Sequence, residues 1–109
     1  YFMKMKKMPS SLQAADYSAV SNYIKAVAAA GTDDPDKVIA QLKKTKIDDF
    51  YTKGYIRQDG RAIHDMYLLQ VKTPAESKKP WDYLKVVATI PGEQAFTTPA
   101  ESKCSLMKK

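Results

Sequence analysis

The chain has 109 residues, 44% of them apolar and 28% charged, which suits one modest core and leaves no length for two independent ones. No apolar run reaches the ~18–20 residues of a membrane-spanning helix, the longest block being Ala26–Ala30, and eleven aromatic residues with this apolar content exclude a disordered chain. Lys and Arg outnumber Asp and Glu by 18 to 12, giving a net charge of +6. That excess alone would attract polyanions or anionic lipid.

Sixteen of the eighteen cations are lysines, largely scattered, with clusters at Lys4/Lys6/Lys7, Lys43/Lys44/Lys46 and Lys108/Lys109. A nucleic-acid reader would carry an arginine-rich stripe interleaved with aromatics. The pattern here reads as a solvated surface instead.

Tyr1–Lys7 lacks the apolar stretch of a signal peptide and an initiator Met. Such an abrupt start suggests an engineered boundary, a processed product or a fragment. The first element is a helix over about 11–30. Ser10 and Gln13 have the spacing of a capping box, and Gly31 stands where a left-handed cap is needed. Tyr17, Val20, Ile24, Val27 and Ala28 give it an apolar face. A second helix, about 35–44, opens at Asp34-Pro35-Asp36 and closes at Lys43-Lys44, with Val38, Ile39 and Leu42 as its stripe.

Beyond Thr45 the pattern becomes that of strands. Residues about 55–57 and the run from Ala62 flank Gln58-Asp59-Gly60-Arg61, a hairpin turn. Further strands are expected at about 65–72 and 83–90, antiparallel across a polar loop, followed by a tail over 91–109. The class is mixed α/β, helices first. One hexapeptide, Thr73-Pro74-Ala75-Glu76-Ser77-Lys78, recurs as Thr98-Pro99-Ala100-Glu101-Ser102-Lys103. Two copies with unrelated flanks are not a solenoid; Thr-Pro-x-Glu predicts two similar capped turns.

The chemistry on offer is sparse. His64 is the only histidine and Cys104 the only cysteine, so a multi-His or Cys-based metal site and an internal disulfide are ruled out. Asp33, Asp34 and Asp36 lack the glycine and glutamate of a calcium loop and are explained by capping. The glycines stand singly, so no phosphate loop forms. Asp48-Asp49 carry no mark of an acid–base couple. No catalytic, metal or cofactor site is expected.

A resemblance adds to this. Tyr17-Ser18-Ala19, Ala26-Val27, Gly31-Thr32-Asp33, Ile56-Arg57-Gln58-Asp59-Gly60-Arg61, His64-Asp65-Met66-Tyr67-Leu68, Val71-Lys72, Trp81-Asp82-Tyr83, Ile90-Pro91 and Cys104-Ser105-Leu106 resemble the C-terminal part of periplasmic solute-binding proteins of ABC importers. The subgroup is the branched-chain amino-acid type, whose relatives also take aromatic acids. The Asp-Gly-Arg to His-Asp-Met-Tyr-Leu block is the most specific piece.

The resemblance implies a C-terminal portion of a two-lobed, Rossmann-like fold that closes on a small carboxylate solute and delivers it to a membrane permease, without catalysis. It implies a periplasmic location, with a signal peptide and most ligand contacts in an N-terminal part that precedes Tyr1. Leu12, Gln13, Asp16 and Tyr17, at the head of the long helix, are the candidate solute-binding residues. Capping for Gln13 and core packing for Tyr17 stand beside that role. Asp59-Gly60-Arg61 becomes a structural turn and His64-Asp65 a packing pair near the hinge, with a ligand-touching pair as the alternative. Cys104 is expected to pair with a cysteine in the remaining part. The apolar face of the long helix would pack on strands outside this chain, so that within it the face needs the complementary part, strand exchange or a homodimer to cover it. A stand-alone basic module for nucleic acid or an acidic protein is the alternative.

Overall fold

The computed structural model describes residues 1–107; Lys108 and Lys109, the last of the basic clusters, lie outside the described residues. A single turn, α1 (Phe2–Met5), precedes the long helix α2 (Ser11–Ala30). Its capping box is formed: Ser10 Oγ accepts from Gln13 N at 3.2 Å and Gln13 Oε1 accepts from Ser10 N at 2.9 Å. At the other end Gly31 takes φ 66° and donates to Val27 O, which closes the helix in the left-handed conformation that glycine adopts without strain. α3 (Pro35–Lys44) starts on Asp34, whose carboxylate accepts from Lys37 N at 3.1 Å.

Three short strands follow, β1 (Lys46–Asp48), β2 (Lys53–Ile56) and β3 (Ala62–His64), paired antiparallel in that order. β1 has no counterpart in the sequence pattern, because three residues are too few to show a period. The β2–β3 turn closes with Gly60 N donating to Arg57 O and Arg57 N donating to Arg61 O. Gly60 at φ 84° supplies the backbone the turn requires.

β4 (Met66–Val71) and β5 (Leu84–Ile90) form a separate antiparallel ribbon, Met66 opposite Ile90 and Val71 opposite Leu84. Between Leu68/Ala88 and Leu69/Val86 the register slips at Val87, a bulge that adds local twist. The stretch read as a plain tail carries a short helix, α4 (Gly92–Ala95), that returns onto β3, and a 3₁₀ turn at Ser105–Met107.

The two hexapeptides adopt one conformation. In each, the Thr N–H and hydroxyl donate to the Glu carboxylate: Thr73 to Glu76 at 2.8 and 3.0 Å, Thr98 to Glu101 at 3.2 and 2.7 Å.

Among the described residues the buried apolar side chains are Ala26, Val38 and Ile63, joined by the polar Ser18. Helix α2 therefore meets its own chain through Ser18, Asn22 and Ala26, a small and polar stripe at four-residue spacing. Its apolar face turns outward, with Val20 58% and Ile24 60% exposed. Both faces of the ribbon are open too, every residue of β4 being exposed. The molecule is elongated, 53 × 37 × 17 Å, with a radius of gyration of 17.3 Å, against about 13 Å for a closely packed domain of this length.

Candidate functional site

The groove at the head of α2 is built from the loop between β1 and β2. Asp49 in that loop accepts from Ser18 Oγ at 2.6 Å and Asn22 Nδ2 at 2.8 Å, both on α2. Its other oxygen accepts from Tyr51 N and Thr52 N, a turn closed by its own aspartate. The loop is thus bound to the helix on one side and folded on itself on the other. Phe50, at its apex, meets Tyr17 edge-on, with ring centroids 5.4 Å apart at 66°.

The Tyr17–Phe50 pair, with Tyr1, Pro9, Gln13 and Ala14, lines a cavity of about 540 Å³, a volume suited to a small organic solute. Burial works to raise the Asp49 pKa, but the bonds from Ser18, Thr52, Asn22 and Tyr51 outweigh it and hold the carboxyl below its ordinary 3.8.

Of the four residues singled out in the sequence, the structure brings Gln13 and Tyr17 together in this groove. Leu12 is 75% exposed and Asp16 is exposed, and neither lines it. At four-residue spacing, Leu12 and Asp16 share one side of α2 and Gln13 and Tyr17 the next. Sequence pattern does not single out Phe50 or Asp49 for this groove. The available signal is local: Asp-Phe-Tyr-Thr is an aspartate-capped turn, and Ser18 with Asn22 is a polar stripe in need of a partner. Gln13 commits Oε1 to the helix cap, which leaves its amide N–H groups as the end able to serve a solute.

A second depression, about 720 Å³, lies where the hairpin turn meets the C-terminal segment. Arg57 grips Asp59 with two bonds, Nε–Oδ1 at 3.0 Å and Nη2–Oδ2 at 2.6 Å, and donates to Thr97 O at 2.9 Å. That grip holds the Asp59 carboxyl down at about 2. Arg61 lies over the Phe96 ring at 5.6 Å. The His64 ring meets Tyr51 and Phe96 edge-on, with centroids 6.2 and 5.5 Å away, and Asp65 accepts from Gly92 N. These contacts pack one segment against another. No group of three or more His, Cys, Asp or Glu is placed to hold a metal among the described residues, and no described helix is long and apolar enough to cross a membrane.

The family model described as periplasmic binding protein matches residues 1–79. A crystal structure of a periplasmic binding protein from Burkholderia mallei is 75% identical to this chain, with a TM-score of 0.96 over 99% of it. A branched-chain amino acid ABC transporter periplasmic ligand-binding protein from Burkholderia xenovorans LB400 is 50% identical, with a TM-score of 0.93 over 98%. The chain spans 29% of the length of each. No curated protein matches it.

Proposed function

The chain belongs to the periplasmic binding protein family, and from that premise we propose that it is part of the solute-capturing component of an ABC importer. Its solute is a small carboxylate, a branched-chain amino acid or an aromatic acid, which the whole protein carries to a membrane permease from the periplasm. An export signal belongs to the N-terminal remainder.

The observation that carries this is the groove at the first turn of α2. Tyr17 and Phe50 offer an apolar, aromatic wall, which suits an aliphatic or aromatic side chain. The Gln13 side-chain amide lies at the positive end of a 20-residue helix, where a carboxylate is stabilised. The xenovorans relative, half identical to this chain, is named for branched-chain amino-acid transport, in keeping with such a solute.

Titration calorimetry of the full-length protein against branched-chain amino acids and aromatic carboxylates is the test. Saturable binding to one of these classes is expected. An absence of heat across the whole panel, from protein with a cooperative melting transition, overturns the proposal.

A further inference from the structure

Asp59-Gly60 is the only Asp-Gly step in the chain, and such a step is open to reaction between backbone and side chain. The Gly60 amide nitrogen has no neighbouring Cβ to shield it and can attack Asp59 Cγ. The new N–C bond forms as a C–O bond of the carboxyl breaks, and the hydroxyl and the amide proton leave as water. Water then opens the five-membered imide at either carbonyl. One opening restores aspartate. The other leaves isoaspartate, with the chain running through the side-chain carboxyl and lengthened by a methylene.

The hairpin turn holds back both partners in this step. Arg57 Nε and Nη2 donate to the two Asp59 oxygens at 3.0 and 2.6 Å, and Arg61 N donates to Oδ1 at 3.3 Å. Ring closure needs a neutral carboxyl, because an ionised oxygen is a poor leaving group. A guanidinium fork keeps the carboxyl ionised and fixes it in place, and the low Asp59 pKa, about 2, reflects that grip. The nucleophile is engaged as well, since Gly60 N donates to Arg57 O at 2.9 Å. One residue thus ties the carboxyl with its side chain and the attacking nitrogen with its carbonyl. The Arg57 and Asp59 side chains are only 12% and 8% exposed. All of these bonds lie within Arg57–Arg61 and call on nothing outside this chain.

We infer that Asp59 is a site of isoaspartate formation held in check by Arg57, and that the turn ages once this grip is lost. Gly60, which gives the turn its φ of 84°, is also what makes it vulnerable. A methylene added there would spread the β2–β3 pairing next to Ile56 and Ala62. It would also take from Arg57 the carboxylate that orients it toward Thr97 O, its bond to the C-terminal segment. The inference does not depend on the solute-binding reading.

The experiment ages the full-length protein in warm, neutral buffer and measures isoaspartate at Asp59. Peptide mapping with electron-transfer fragmentation tells it from aspartate at equal mass. The free peptide Ile56–Ile63 supplies the unprotected rate. The parent should convert at least about tenfold more slowly than the peptide, and Arg57→Ala should recover most of that difference. Tyr55→Phe loosens the same C-terminal segment by removing the Tyr55–Glu93 bond and leaves the Arg57 grip intact, so it should convert at the parent's rate. Should Arg57→Ala lose its melting transition, Arg57→Lys, which keeps the charge without the two-bond fork, is measured in its place and should also exceed the parent. A parent that converts as fast as the peptide overturns the inference. So does a folded Arg57 variant that converts at the parent's rate, or an equal acceleration by Tyr55→Phe.

Discussion

Four donors converge on the Asp49 carboxylate, two from side chains of α2 and two from its own loop. Replacing it by Ala leaves Ser18 and Asn22 to find other partners in a partly buried place, and bonds to a charged acceptor contribute about 1.5–3 kcal/mol each before solvent screening. Asp49→Ala should therefore cost about 2 kcal/mol in denaturant unfolding and, by releasing Phe50 from Tyr17, weaken solute binding as well. An unchanged unfolding midpoint would remove Asp49 from this role. At Gln13 two substitutions separate cap from solute contact. Gln13→Ala should cost about 0.5–2 kcal/mol of stability through the lost capping contact. Gln13→Glu keeps a box-forming acceptor but turns the amide donor into a carboxylate, so affinity for a carboxylate solute should fall while stability holds. Equal affinity in calorimetry for Gln13→Glu and the parent means that the groove uses another donor.

At the scale of elements, the twin Thr-Pro-Ala-Glu-Ser-Lys turns are the clearest case of sequence dictating conformation. Both glutamates take the same two Thr donors, though one turn connects two strands and the other follows α4. The surroundings differ only outside the turn, where Glu76 also accepts from Lys85 Nζ on β5 at 2.5 Å. With Lys85 the largest cause, followed by Thr73, the Glu76 carboxyl is held at about 2, well under its ordinary 4.5. Asp59, gripped by Arg57, is likewise held at about 2 against 3.8. Both carboxyls are more acidic folded than unfolded, so each stabilises the fold above its ordinary pKa and loses that contribution as pH falls toward 2. Acid titration followed by NMR of the ribbon-tip and hairpin-turn amides should show these two elements holding through pH 4.5 and releasing between about pH 4 and pH 2. Glu76→Gln should move the release of the ribbon tip and leave the hairpin turn where it is. Release of the parent's tip already complete at pH 4.5 would contradict the Lys85–Glu76 contact.

The whole molecule buries little of what it could. Leu12, Val20 and Ile24 on α2 and Leu68, Leu69, Val86 and Val87 on the ribbon are all exposed, and exposed apolar surface of this kind invites association. Exposed strand edges add backbone donors and acceptors to that surface. A net charge of +6 opposes self-association, yet mixed signs and physiological screening confine that repulsion to within about 8–10 Å. Light scattering on the isolated 109-residue chain at tens of micromolar should therefore report dimers or larger species, and a stable monomer would show that these faces close on themselves. In the full-length protein the same faces should be silent, because the two crystal structures similar to this chain are more than three times its length.

The features legible in the chain without its fold span about four residues each: the capping box at Ser10 and Gln13, the Asp34 cap, the glycine ends at Gly31 and Gly60, and the repeated threonine–glutamate turn. These depend on contacts between near neighbours, whose geometry the backbone of one turn already settles. Which face of α2 is covered depends instead on contacts across the fold. The apolar stripe marks where burial is favoured, but within this chain the helix is held by Ser18 and Asn22 on Asp49, 31 and 27 residues away. Periodicity cannot report a partner that distant. The same holds for the groove, where Phe50 reaches Tyr17 only because a carboxylate ties its loop to the helix. It holds again for the ribbon's base, where Asp65 and Gly92 meet only after two strands have paired.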